Sequence, residues 1–243
     1  WEALLAARGF EQSYCVQGDS FLKRQALIVG HANAKSTPRA AAARMGAARA
    51  QLISGGLGGL GLVTARMLFE SESTELVLLA SRSGRVAKGS DADWAWLVDN
   101  EAPVRRVRCD VSEVGETRAT VGALASEGPH LCGVFHSAHL LADAALANQR
   151  ATNFRSAYTP KVLGASILHA ASGRSPLDHM SLYSSIAGLL GSSGQSPHSA
   201  SSSWLVSLAR YQQASGVRGL CVEWGAVAEI GYAARHGADR QAA

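Results

Sequence analysis

The stretch Gln51-Leu-Ile-Ser-Gly-Gly-Leu-Gly-Gly-Leu-Gly-Leu-Val-Thr-Ala-Arg-Met-Leu68 decides the fold. It passes from a short apolar strand through five glycines in seven residues into an amphipathic helix. Glycines permit a tight turn and close approach of the backbone to a pyrophosphate, and a helix N-terminus offers free N–H groups and the positive end of its dipole. A glycine-rich turn serving packing alone is the competing reading. The strand–helix setting favours a dinucleotide cradle formed by Ser54, Gly55, Gly56, Leu57, Gly58, Gly59, Leu60 and Gly61.

Downstream, apolar runs alternate with amphipathic stretches, the pattern of a Rossmann-type α/β fold with a doubly wound parallel sheet. Strands are predicted at 50–54, 75–80, 104–108, 131–136, 179–184 and 218–223, and helices near 59–70, 92–99, 113–127, 150–171 and 197–214. Upstream, Gln12–Val16 and Ser20–Leu22 read as strand pieces too small to fold alone. Residues 28–48, rich in Ala, Arg, Ser and Lys, read as a linker or an exposed helix. The chain starts at Trp1, which suggests a piece of something longer.

Composition narrows the function classes. The 243 residues are 47% hydrophobic and 17% charged, and no apolar run approaches the ~20 residues that span a bilayer. Neither a signal peptide nor a membrane partner is expected. The net charge of +4 is scattered, and the basic patch Arg105, Arg106 and Arg108 lacks interleaved aromatics, so no nucleic acid is expected either. The four cysteines show no metal-ligand spacing, which suits buried thiols in a reducing, cytoplasmic setting. His136, His139 and His198 have no matched carboxylate, and no metal is expected.

The second strand, Glu75-Leu-Val-Leu-Leu-Ala80, ends in Ser81-Arg82 rather than an acidic residue. An acid there would suit the ribose hydroxyl of NAD, whereas Arg82 with Ser81 suits the 2′-phosphate of NADP(H); a solvated Arg is the alternative. Asp110, followed by Val111, is placed either to accept a hydrogen bond from an adenine amino group or to cap a helix.

From Ser54 to about Gly231 the chain resembles the ketoreductase domain of modular polyketide synthases and animal-type fatty acid synthases, within the short-chain dehydrogenase/reductase superfamily. The resemblance is carried by Ser54–Gly61, Ser81-Arg82-Ser83-Gly84, Cys109-Asp-Val111, Gly133-Val-Phe-His136, Pro160-Lys-Val-Leu-Gly-Ala165, Ser184–Ser192 and Glu223-Trp-Gly-Ala226. It implies that His136, Ser137, Ala138, Trp224 and Gly225 also border the cofactor. It implies further that residues 1–27 end a cofactor-free structural subdomain, that 49–243 form the NADP(H)-binding subdomain, and that its lid is truncated after Gly231.

In that family a Lys, a Ser, a Tyr and an Asn reduce the β-keto group of an acyl chain carried as a thioester on acyl carrier protein. Lys161 and Ser185 match the first two, while the Tyr position holds His198 and the Asn position Ser202. An imidazole reaches less far than a phenol, and a nearby ammonium favours its neutral form. Ser202 lacks the paired carbonyl and amide of Asn. His139 also stands where the family has Gly, with a side chain placed to crowd the cofactor. The resemblance therefore implies an NADP(H)-binding domain of a larger synthase whose reductase step is impaired. The alternative is a catalytically silent structural or NADP-binding domain; an epimerase has no positive support in the sequence.

Overall fold

The computed structural model describes residues 10–16, 27–32, 48–72, 74–173, 177–225 and 227. The chain divides into two compact units, Trp1–Met45 and Gly46–Ala243. In the first, β1 (Phe10–Val16) pairs antiparallel with β2 (Leu27–Ala32). The stretch read as linker or exposed helix thus opens with a strand, because Leu27-Ile-Val29 is a short apolar, β-branched run. The predicted piece Ser20–Leu22 and the lid after Gly231 lie outside the described residues.

The second unit is the expected doubly wound fold. Its elements run β3 (Arg49–Ser54), α1 (Gly59–Glu70), β4 (Leu76–Ser81), α2 (Asp91–Asp99), β5 (Val104–Arg108), α3 (Val114–Glu127), β6 (His130–His136) and α4 (Ala151–Tyr158). After them come α5 (Gly164–Ser172), β7 (His179–Ser185), α6 (Ser196–Ala214) and β8 (Gly219–Trp224). All six strands are parallel, in the order β5-β4-β3-β6-β7-β8. Successive side chains of a strand point to opposite faces, so each buried strand supplies two cores. Leu52, Leu78, Val134, Met180 and Leu182 meet Leu124, Leu168 and Leu205 on one face. Ile53, Val77, Leu79 and Phe135 meet Leu62, Leu68 and Leu97 on the other. Each such side chain contributes roughly 1.5–3 kcal/mol by leaving water.

One predicted element is divided. The helix expected over 150–171 is α4, a wide π-turn over Thr159–Leu163, and then α5. Pro160 has no N–H to continue the α-helical ladder, so the ladder changes register there. The Ser/Gly-rich segment between β7 and α6 holds only one helical turn, Ala187–Leu190.

Candidate active site

In a doubly wound sheet, ligands bind beyond the carboxyl ends of the strands, where the strand order reverses. That point lies between β3 and β6, whose successors run to opposite sides of the sheet. A cleft of about 1340 Å³ opens there. Every predicted site residue borders it except Ser54, Gly56, His136 and Ser202, which lie behind its wall.

The glycine turn is held by its own packing. A Cβ on Gly56 would stand 2.6 Å from the Ile53 carbonyl oxygen and 2.8 Å from Leu79 Cα. One on Gly61 would stand 2.6 Å from the Gly55 oxygen, and one on Gly55, whose φ is +69°, would stand 2.8 Å from the Ala138 nitrogen. These glycines let α1 start directly against β3, β4 and the end of β6. Gly58 caps α1 without any side-chain hydrogen bond, and no acidic residue occupies the first turn. The first N–H groups of the helix therefore face the cleft end without an intrahelical acceptor, a setting that receives an anion.

At the end of β4, Ser81 Oγ accepts the Gly84 N–H at 3.0 Å, and Gly84 turns the chain with φ +66°. This turn brings both Arg82 and Arg85 to the cleft. Sequence reasoning missed Arg85; its signal is its position just after the turn glycine. Asp110 is not a helix cap, since Glu113 takes that place at α3. Its Oδ1 instead accepts the Ser112 N–H at 3.0 Å, which fixes the carboxylate at the cleft wall.

Behind the wall, His136 bridges two strand ends. Its Nε2 lies 2.8 Å from the Lys161 carbonyl oxygen, which can only accept, so Nε2 carries the proton. Its Nδ1 then accepts from the Ser54 hydroxyl at 2.7 Å. Burial, opposed by the bond to the Lys161 carbonyl, pushes the His136 imidazole down to about 4, so the ring is neutral at ordinary pH. Ser137 Oγ donates to the Ser54 carbonyl at 2.8 Å, and together these bonds lock β3 to β6 at the switch point.

The π-turn presents Lys161 with only 2% of its surface exposed. Its Nζ donates to Ser202 Oγ at 2.7 Å, and burial lowers its pKa to about 8. Ser185, at the end of β7, accepts the Ala187 N–H at 3.2 Å. His198 sits in the first turn of α6, its Nδ1 buried and without a hydrogen-bond partner among the described residues. Burial first, then the Lys161 ammonium and His139, hold His198 down to about 3. The ring of His139 stands 6.5 Å from that of His198. Lys161, Ser185, His139 and His198 thus all border the same cleft.

Residues 50–229 match the family model of the KR domain. The chain belongs to the KR domain family. It is a ketoreductase-type domain like those of polyketide synthases. The phthioceranic/hydroxyphthioceranic acid synthase of Mycobacterium tuberculosis is 37% identical over 181 residues, which cover 74% of this chain and 8% of that protein. A hybrid PKS-NRPS synthetase of Aspergillus violaceofuscus is 34% identical over 198 residues, 82% of this chain and 5% of that protein. The ketoreductase from the first module of phoslactomycin biosynthesis in Streptomyces sp. HK803 superposes with a TM-score of 0.74 at 31% identity, covering 81% of this chain and 45% of that one. The KR domain described here therefore spans under a tenth of these curated relatives, which are large multidomain synthases. Among its described residues no helix is long and apolar enough to cross a membrane.

Proposed function

We propose that this KR domain binds NADP(H) in the cleft and acts on the β-keto group of an acyl chain carried by acyl carrier protein, with an impaired reductase step. One observation carries the reading: Lys161 and Ser185 border a cleft whose glycine cradle is intact, while the neighbouring His198 imidazole is held neutral. The residues present fit the cofactor. The uncapped start of α1 suits a pyrophosphate, the guanidinium of Arg82 suits a 2′-phosphate, and Asp110 suits an adenine amino group. The chemistry that NADPH supplies in such a site is hydride donation to a carbonyl carbon.

The chain's own groups then decide how well that chemistry proceeds. The Ser185 hydroxyl is suited to donate to the β-keto oxygen, and the Lys161 ammonium adds positive potential nearby. A neutral His198 cannot deliver a proton without becoming an imidazolate, so the position that holds Tyr in the family provides no acid. Ser202 is fully buried and takes the Lys161 N–H bond, which leaves that ammonium tied away from the solvent. Loss of general acid catalysis costs ~10²–10⁴-fold in rate.

The test pairs NADPH binding with NADPH oxidation in the presence of a β-ketoacyl thioester. Binding with slow turnover is expected, and the double change His198→Tyr with Ser202→Asn should raise kcat by at least ~10²-fold with little change in NADPH affinity. Turnover at ordinary ketoreductase rates in the unaltered domain would overturn the impairment. Binding with no oxidation at all would favour the silent-domain alternative, and failure to bind would overturn the reading as a whole.

A further inference from the structure

We infer that Arg85 is a specificity-determining residue for the cofactor, its guanidinium sharing with that of Arg82 the 2′-phosphate that distinguishes NADP(H) from NAD(H). The inference rests on the NADP(H) reading above and adds to it a position that the family resemblance does not imply.

The segment that carries Arg85 is pinned along its length. The carbonyl of Ser81, at the end of β4, accepts the Cys109 N–H at 3.0 Å, and the Ser81 hydroxyl accepts the Gly84 N–H at 3.0 Å. The Arg85 N–H in turn donates to Ser83 Oγ at 3.1 Å. One residue further, Val86 packs against the core cluster that contains Leu57 and Leu79. The Ala87 N–H then donates at 2.8 Å to the carbonyl of Leu57, within the glycine turn itself. Arg85 therefore stands between the end of β4 and the cradle, on backbone fixed from both sides, and it borders the cleft together with Arg82 and Ser83. In a doubly wound fold this is where the adenosine ribose meets the protein.

Charge supplies the second part of the argument. Arg82 and Arg85 are both exposed, and neither guanidinium has a partner among the described residues. Those of Arg49, Arg66 and Arg105 are spent on Asp178, Glu70 and Glu127, and that of Arg106 lies over Trp94. A guanidinium keeps its charge throughout the working pH range. A phosphate monoester carries about two negative charges near neutrality, so one guanidinium leaves it half compensated and two match it. The ribose of NAD(H) presents only a hydroxyl at that point, which gives the second guanidinium nothing to neutralise.

The test is calorimetric titration of the intact chain with NADPH, NADH, 2′,5′-ADP and 5′-ADP, so it needs no turnover. Arg85→Gln should weaken NADPH and 2′,5′-ADP by ~10-fold or more, the scale of one charge-assisted hydrogen bond, and leave NADH and 5′-ADP nearly unchanged. Arg85→Lys should keep part of the affinity for the two 2′-phosphorylated ligands, and the pair Arg82→Gln with Arg85→Gln should abolish their advantage. The Tm of ligand-free Arg85→Gln should equal that of the parent, because the side chain is exposed and unpartnered. Undiminished NADPH affinity in Arg85→Gln would overturn the inference and leave the NADP(H) reading standing. An equal loss for all four ligands would also overturn it, since Arg85 would then act on the part they share. A parent that binds neither NADPH nor 2′,5′-ADP would overturn the NADP(H) reading and this inference together.

Discussion

Gly56 and Gly122 have opposite prospects, although both lie in or beside helical segments. A Cβ at Gly56 meets backbone on two sides, at 2.6 and 2.8 Å, where nothing flexible can yield. Gly56→Ala is expected to cost ~1–3 kcal/mol or more in denaturant unfolding and to weaken NADPH binding with it. Gly122 is exposed within α3 and has nothing within 4 Å of an added methyl, so Gly122→Ala should gain ~0.5–1 kcal/mol. His136 supplies a pH signature at the same scale. Its folded-state value, about 4, lies below the ordinary 6.5, so between those values the unfolded chain binds a proton that the folded chain refuses. Stability should therefore fall as pH drops from 6.5 through 4, by at most roughly 3 kcal/mol from this ring, with His198 acting in the same direction. In His136→Gln the decline should be shallower when followed by urea unfolding at several pH values. The sequence shows that His136 ends a strand beside the cradle. It does not show that both ring nitrogens are consumed behind the wall, because those partners come from β3 and the π-turn, 82 and 25 residues away.

At the scale of elements, most strands were legible because they are short apolar runs bounded by turn residues, while β5, Val104-Arg-Arg-Val-Arg108, is largely basic; the parallel arrangement followed from helices between them. The break in the helix over 150–171 was less visible. Pro160 signals an interruption, but the choice of a π-turn over a kink depends on how α5 packs, with Gly164 pressed so that an added Cβ would stand 2.9 Å from Val111 and 3.3 Å from His136. That turn is what sinks Lys161 and brings it to Ser202 on α6. Burying the ammonium has a measurable sign. With the folded value near 8 and the ordinary value 10.5, the unfolded chain holds the extra proton between them, so stability should rise as pH drops out of that window only if the proton were favoured by folding; it is not, and stability should instead rise with pH across it. Lys161→Met should flatten this rise and be at least as stable as the parent near neutrality. The basic patch on β5 is likewise an element-level matter: Arg105 pairs with Glu127 at 2.5 Å, and the Arg106 guanidinium lies 5.0 Å over Trp94.

For the whole molecule, the cleft joins parts distant in sequence: the α1 start, the β4 turn, the end of β6, the π-turn and the start of α6. A ligand held by all of them should stabilise the unit Gly46–Ala243 that contains the cleft. NADPH at ~100 times its dissociation constant adds ~2.7 kcal/mol, which is ~5–10 °C in Tm for a domain of this size. NADH at equal concentration should give a clearly smaller rise, and equal shifts would count against Arg82 as a 2′-phosphate partner. The sequence by itself determined the Rossmann-type fold, the glycine turn and the family, because glycine spacing, apolar periodicity and motif order are local properties that read directly off the chain. It also shows His198 and Ser202 where the resemblance implies Tyr and Asn. Only the tertiary structure decided the surroundings of those two positions. Burial and the Lys161 charge, both set by elements far apart in the chain, hold His198 neutral.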